Sequence, residues 1–562
     1  MTNYNNFDQY QNIPAEKFRF AKRNDLSHDK KFDTKPVSYW QGAFRRFAKN
    51  KGAVVGAIVI LVLVLFAIIA PFFTPYKADM KDYRFGYTSP KLPLFENSGV
   101  DFWDGCVEKK DVGSLEYLKA AALMQETGKE VIKNGEYSVS EDGKSYSYRY
   151  NTYYGVGFLY KEITQSEYED IQRYQNESGR QVLYPVVDLG DRPTHHKNKT
   201  DANVYYVVQN KGASDLRPVL DEEGKFIPNY LKYENGTSLN SLGAVEYDSL
   251  RIEGENGIIE KVDVTDENGN VTQVEKQYFY AYGLQFPSTV QVRLDYYEYY
   301  VYTHTQVLKD GVTEPLFLFG TTDSGKDIFA CLAYGARFSF IFASIVAIVN
   351  FVVGVIWGSI SGYFGGKLDL AMERFCEILG SVPNMIIITL LQFHMGQFIL
   401  DKGLYELTEI QSVIVLFIAF FATGWIGMAG RTRMQFYRFK NQEYVLAART
   451  LGAGDARIMF KHIFPNGIGT IVTSVALVIP SMIYSETSLS YLGIINLEAG
   501  TLTSVGTLIN AGQVALQQGG DAHTAYVALF PCAFLVLLML SFNLFGNGLR
   551  DAFNPSLRGS EE

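Results

Sequence analysis

The sequence predicts an all-α polytopic membrane domain of six transmembrane helices, interrupted after the first by an inserted α+β extracytoplasmic domain. Six uncharged runs, at 52–76, 338–366, 378–400, 410–430, 463–485 and 522–549, each hold at least 21 residues. About 20 suffice to cross the hydrocarbon core as a helix. A polar stretch over 77–316, long enough for an independent domain, separates the first run from the second. Positive charge then alternates between successive loops as a single topology requires.

The first 52 residues carry eleven Lys/Arg and five Asp/Glu, with Arg45, Arg46, Lys49 and Lys51 immediately before the first run. This tail, 1–52, is expected on the cytoplasmic side. Within it, 38–50 predicts an amphipathic helix on the inner membrane surface: Trp40, Phe44 and Phe47 recur at helical spacing, and Arg45, Arg46 and Lys49 can face lipid headgroups. Charge flanking for insertion explains the arginines equally well. The first span, 53–76, does not read as a cleaved signal peptide, because its leader is too long, its apolar run too extended, and no small-residue cleavage pattern follows. With the N-terminus inside, the loops at 363–377 and 431–462 and the tail 550–562 are also inside. The outer loops at 401–409 and 486–521 contain a single Lys/Arg between them, Lys402.

The insertion, 77–316, has 39 acidic and 26 basic residues, a net charge of −13. Of four cysteines it contains only Cys106, so a disulfide framework within it is impossible and core packing must hold it. Residues 114–127 and 165–176 read as helices, each followed by Gly. The segments 137–140 and 145–150 flank Glu-Asp-Gly-Lys as a hairpin, with Tyr146, Tyr148 and Tyr150 on one face. A second hairpin is expected from 258–264 and 271–280, and 295–303, nearly continuous Tyr and Val, reads as a further strand. The insertion holds 26 of the 38 tyrosines. These serve either as sheet and core filler or as a docking surface for cargo or a delivering protein.

The remainder, 317–549, carries spans two to six. Its most informative stretch is 443–465, EYVLAARTLGAGDARIMFKHIFP: two short helical patterns joined by a Gly-Ala-Gly-Asp break. Seven Lys/Arg between Arg431 and Lys461 against Glu443 and Asp455 mark the loop as cytoplasmic. Ala447 and Ala448 give the first helix a small-sided face, Gly452 ends it, and Asp455 can cap the next. A compact structured loop between two spans suggests a docking element for a soluble partner. Pro383 and Pro480 can kink their spans and free backbone groups beside a cavity. Glu373, Arg374 and Glu377 open the third span near the inner interface and read as a structural ion-paired group, with Arg374 as the cation, or alternatively as functional charges within the membrane. Gln392 and His394 either line the pathway or hydrogen-bond between helices.

No hydrolytic or redox constellation is present. His195 and His196 lie in a polar stretch that reads as a solvated loop, not a metal site. There is no Walker-type phosphate loop. The chain is therefore expected to have no ATP site of that kind, and to need no cofactor, metal or nucleic acid.

The loop at 440–466 resembles the "EAA loop" of ABC-importer permeases. Leu446-Ala447-Ala448, Gly452 and Ile463-Phe464-Pro465 fill its pattern, with His462 where an aliphatic residue is usual. Arg45-Arg46, Lys51 and a span ending Ala70-Pro71 resemble the start of the second permease subunit of oligopeptide and dipeptide importers. Phe319-Gly-Thr-Thr-Asp-Ser-Gly-Lys-Asp327, Tyr334-Gly-Ala-Arg337, Ser488-Leu-Ser-Tyr-Leu-Gly493 and Phe542-Asn-Leu-Phe-Gly-Asn-Gly-Leu-Arg-Asp551 with Asn554-Pro555 also resemble that group. Thr322 and Lys326 depart from its Asp and Arg, and the long insertion departs from its short connection.

The resemblance implies a type I ABC-importer permease fold and a transport subunit, not an enzyme, without an ATP site of its own. It also implies pairing with a homologous permease subunit, two cytoplasmic ABC ATPase subunits, an extracytoplasmic solute-binding protein and a peptide substrate. Carried onto this sequence, residues 443–454 become the coupling helix. Tyr444, Ala447, Ala448 and Leu451 form its contact face, Glu443 or Arg449 makes charged contacts, and Gly454, Asp455 and Pro465 lead back to the bilayer. The same architecture importing nickel, a sugar or another small solute is the alternative. A receptor or adhesin would not need six spans and such a loop.

Overall fold

The computed structural model describes residues 39–95, 103–141, 143–187, 202–210, 216–230, 251–265, 269–280, 283–285, 289–400, 409–494, 502–517 and 522–553. His195, His196, Asn554, Pro555 and the tail before residue 39 lie outside the described residues.

Two helices open the described chain, α1 (Tyr39–Lys49) and α2 (Lys51–Phe73). The Asn50 side chain accepts from the Ala53 amide at 3.2 Å and separates them. The apolar face of α1 differs in part from the sequence expectation. Ala43 and Phe47 pack against Ala552 and Phe553 near the far end of the chain, and Arg46 donates twice to the Ala552 carbonyl (2.9 and 2.8 Å), whereas Phe44 is exposed. The Trp40 side chain lies outside the described residues. Helix α2 buries one stripe, including Gly56, Leu63 and Ala67, and leaves Val55, Ile58, Leu61 and Phe72 uncovered, as a span facing lipid does.

The insertion begins with β1 (Cys106–Gly113), α3 (Ser114–Thr127), β2 (Ile132–Val139) and β3 (Ser145–Asn151). The strands form an antiparallel sheet in the order β1-β3-β2, so the first expected hairpin is present. Its tyrosines hold α3: Tyr117 stacks on Tyr146 with ring centroids 4.3 Å apart and meets Tyr148 edge-on. Next come β4 (Phe158–Thr164), α4 (Gln165–Ser178), β5 (Leu183–Tyr184), the small pair β6 (Val208–Asn210) and β7 (Leu216–Pro218), then β8 (Arg251–Thr265), β9 (Val271–Tyr280), β10 (Gly283–Gln285) and β11 (Thr289–Asp295). These build a sheet in the order β4-β11-β10-β9-β8, with β5 also on β11, and β8–β9 is the second expected hairpin.

Residues 295–303 do not continue as a strand. They form α5 (Tyr296–Tyr302), because Asp295 ends β11 and its carboxylate accepts from the Tyr297 amide at 3.0 Å as a helix cap. Helical spacing sends Tyr302 to the core beneath β11 and Tyr297, Tyr300 and Val301 to a second core with Tyr76, Phe85, Phe317 and Ala330. Tertiary packing overrides β propensity here. That second core joins the insertion to the membrane helices, and Tyr526 adds a bond to the Thr88 carbonyl (3.0 Å). Within β11 itself, Arg293 is fully buried, donates both terminal nitrogens to Glu126 at 2.7 Å and lies over the Phe158 ring.

The remaining elements are helical: α6 (Ile328–Phe364), α7 (Gly366–Gly380), α8 (Asn384–Leu400), α9 (Glu409–Gly424), α10 (Ile426–Phe439), α11 (Glu443–Thr450), α12 (Asp455–Arg457), α13 (Phe464–Tyr491), α14 (Val505–Gln517) and α15 (Tyr526–Phe553). Among the described residues, five helical stretches are long and apolar enough to cross a bilayer: 51–73, 328–364, 411–439, 455–491 and 526–553. A sixth exists only if α7 and α8, bent by 70° around Ser381-Val382-Pro383, count as one. The kink expected at Pro383 is present, and only the start of the third span moves, from 378 to an earlier residue. The helix starts at Gly366, takes in the charged residues 367–377, and breaks at Pro383, which cannot continue the hydrogen-bond ladder.

Helix α6 is the organising element. Gly354, Gly358 and Gly362 recur every four residues along it, and α10 packs so closely there that a Cβ on Gly358 would sit 2.3 Å from the Ala429 carbonyl. The stretch 486–521, expected to be only an outer loop, instead completes α13 and contains α14, which packs between α13, α15 and α6. Its small and hydroxylated sequence hides it: Gly506 lies against the Thr487 carbonyl and Gly512 against Ala528.

Candidate functional site

The loop between α10 and α13 is built on a clamp of charged side chains. Asp369, near the start of α7, accepts from Arg433 Nε at 2.6 Å and Nη2 at 2.7 Å, and also from the Ser361 and Tyr437 hydroxyls. Arg433 extends the same fork to Glu373 (3.0 and 2.8 Å). One guanidinium thus ties α10 to α7, and the serine ties both to the end of α6. The expected pairing within 373–377 is half right. Arg374 meets Glu377 at 2.5 Å on the surface, but Glu373 belongs to Arg433. A cavity of about 440 Å³ beside the clamp is lined by Trp357, Cys376, Glu377 and Arg433.

From this clamp the chain turns into α11. Lys440 Nζ donates to the Gly362 carbonyl at 3.0 Å, holding the turn against α6. One face of α11 is anchored: Val445 is fully buried with Tyr363, Phe436, Ile458, Met459 and Ile463. The opposite face is bare, with Leu451 88% exposed, and Tyr444, Leu446 and Ala447 exposed beside a half-buried Ala448. Three large apolar side chains, Tyr444, Leu446 and Leu451, are thus uncovered on this short helix and its C-terminal cap.

The end of α11 follows the expectation for glycine. Gly452 has φ +82°, its amide donates to the Arg449 carbonyl at 3.0 Å, and the Ala453 amide reaches back to Ala448 at 3.1 Å. These are the two bonds of a Schellman stop. Asp455 differs from expectation. The cap of α12 is Gly454, with no side-chain bond, and the Asp455 carboxylate instead accepts from the Tyr363 hydroxyl at 2.6 Å. Arg449 donates to the same hydroxyl at 3.3 Å. A π-type turn over Ile458–Ile463 then feeds α13, with Pro465 in its first turn where a missing amide costs nothing.

The other candidates are dispersed. Glu443 is exposed at the first turn of α11. Pro383 forms the α7–α8 bend and Pro480 is buried within α13. His394 is exposed on α8, and the Gln392 side chain lies outside the described residues. Sequence reasoning missed Tyr363, Asp369, Arg433 and Lys440. Arg433 and Lys440 entered only as part of a charge count, although their spacing on one helix before the loop was the available signal.

This geometry defines a polytopic helical permease with a structured, partly uncovered loop fastened between two spans. A family model described as "Binding-protein-dependent transport system inner membrane component" matches residues 354–559, and one described as "N-terminal TM domain of oligopeptide transport permease C" matches 38–90. The oligopeptide transport system permease protein OppC of Bacillus subtilis is 42% identical over 240 residues, 43% of this chain and 72% of that protein. The dipeptide transport system permease protein DppC of the same organism is 37% identical over 43% of this chain and 69% of its own length. OppC of Haemophilus influenzae is 36% identical over 44% and 72%. An inward-facing MetNI methionine ABC transporter structure gives a TM-score of 0.30 at 15% identity, covering 40% of this chain and 96% of that one, too slight a likeness to argue from. The chain belongs to the OppC/DppC family of ABC-importer permeases and is a multi-pass membrane transport subunit.

Proposed function

We propose that this subunit forms half of the pathway of an ATP-driven peptide importer, with a homologous permease as the other half and two cytoplasmic ATPases as the engine. Both termini and α11 face the cytoplasm, residues 77–316 face outward, and the six spans adopt the type I arrangement. In this reading α11 is the coupling helix. Its bare face of Tyr444, Ala447, Ala448 and Leu451 seats in an ATPase cleft, while Val445 and Tyr363 hold its back to the permease.

The single observation that carries the reading is that a mostly uncovered helix is nonetheless tied to two different membrane helices, through Arg449 to Tyr363 of α6 and through Val445 to Phe436 of α10. A tethered element of this kind transmits displacement; a free surface loop does not. Nucleotide energy comes from the partners, in keeping with the missing phosphate loop. The peptide cargo rests on the relatives' names, and the insertion is the natural receiver for a solute-binding protein. Uptake of labelled trialanine into proteoliposomes holding the co-purified complex tests this: ATP-dependent accumulation is expected, and accumulation of nickel or a sugar but of no peptide contradicts the cargo.

A further inference from the structure

Arg337 sits roughly three turns into α6, where the helix enters its apolar stretch. Its guanidinium lies over the Tyr334 ring, 5.0 Å from the centroid. Among the described residues it has no carboxylate and no hydrogen-bond acceptor. It lines a cavity of about 560 Å³ between α6, α9 and the segment entering α14, whose other walls include Phe338, Ile341, Phe342, Val413 and Phe417. The only polar neighbour among the lining residues besides Tyr334 is Thr503.

An ionised group in a spanning helix is costly unless it faces a partner or a solvated path, which makes an unpaired one a mark of function. We propose that this cavity is a transit subsite for the C-terminal carboxylate of the peptide cargo, held by Arg337. The proposal rests on the peptide-import reading and adds the group that reads the cargo. Peptides of differing sequence share only their backbone and two termini. A recognition element indifferent to side chains must use one of these. A single cation over apolar walls does so: the planar fork matches a carboxylate bidentately, and Phe338, Ile341 and Phe342 make no hydrogen-bond demand on the neighbouring side chain. The Tyr334 ring, 5.0 Å from the guanidinium carbon, offers it a π face without occupying its N–H donors. A lipid phosphate would offer the same fork the same charge, so the test must separate the two.

The test uses the complete complex in proteoliposomes with trialanine and trialanine amide, after the binding protein's affinity for each has been measured separately. Corrected for that affinity, the wild type is expected to import the acid about tenfold faster than the amide, the loss of one charge-assisted contact. Arg337→Gln should bring this ratio near one, and Arg337→Lys should keep part of it. Because the ratio is internal to each preparation, it does not depend on how much complex folds. A wild-type ratio near one overturns the proposal, as does a ratio unchanged by Arg337→Gln. Equal loss of both peptides in that variant assigns Arg337 to lipid headgroup or fold and overturns it too. If the wild type imports neither peptide, the cargo reading itself fails and this proposal with it; an acid-selective wild type with an unaltered variant removes only the proposal.

Discussion

The Tyr363 hydroxyl donates a 2.6 Å hydrogen bond to the carboxylate of Asp455, joining the last turn of α6 to the return limb of the loop after α11. Arg449, on α11 itself, donates to the same oxygen. This one hydroxyl therefore bridges the proposed coupling helix, the chain leading back to the bilayer, and α6. Tyr363→Phe keeps the ring in its apolar core and deletes only that bridge. The bond is worth about 1 kcal/mol, so uptake per ATP hydrolysed is expected to fall about fivefold. Basal ATPase activity of the complex, measured in parallel, should stay within about twofold of wild type.

Gly452 is the stop of α11, and no atom lies within 4 Å of where its Cβ would be. Only backbone conformation is at stake there. Gly452→Ala should cost about 1–2 kcal/mol for the left-handed φ and reduce uptake modestly. Gly452→Pro cannot adopt φ +82° and loses the amide that bonds Arg449, a penalty of about 3 kcal/mol or more. It is expected to abolish ATP-coupled uptake while membrane insertion, scored by protease protection of the termini, is retained.

Gly358 is at stake for the opposite reason, contact. Its missing side chain lets α6 approach α10 until a Cβ would lie 2.3 Å from a carbonyl oxygen, while Gly427 at the start of α10 has open space around it. Gly358→Val should lower the yield of monodisperse permease through overpacking of about 1–3 kcal/mol. Gly427→Val, the control, should elute like the wild type in size-exclusion chromatography.

Asp327 caps α6 through the Ala330 amide at 3.0 Å, and burial pushes its carboxyl up to about 7 against the lowering effect of the Ala330 and Phe329 amides. The native state therefore holds a proton on Asp327 that the unfolded chain has released above about pH 4. This contribution to stability is complete below that value and is lost as pH rises through about 7. Thermal unfolding of the detergent-solubilised protein should move to lower temperature between pH 5 and pH 8, about where the two titrations lie. Asp327→Asn, which keeps a capping oxygen without the charge, should flatten that trend.

Much of the membrane architecture was legible because its signal is compositional: five of the six long uncharged runs coincide with helical stretches long and apolar enough to cross a bilayer. The loop over 443–465 was legible because glycine at a helix stop and proline at a helix start have positional chemistry, seen here at Gly452 and Pro465. What escaped were outcomes of tertiary packing. The run 296–302 has strand composition, yet a capping Asp295 and two waiting aromatic cores make it a helix. Helix α14 lacks any long apolar run because its glycines are contact points. Asp455 looked like a cap, but its partner Tyr363 is distant in sequence and no local pattern announces such a pairing.

The claim that α11 couples an external engine to this permease is tested most directly at Leu451, the barest large apolar residue of the loop. With Leu451→Cys in the assembled complex and a cysteine-reactive photo-cross-linker, the account predicts that the main product joins this chain to an ATPase subunit, with a yield that changes between nucleotide-free and ATP-bound preparations. Cross-links that form only to lipid or to the sister permease in both states would contradict it.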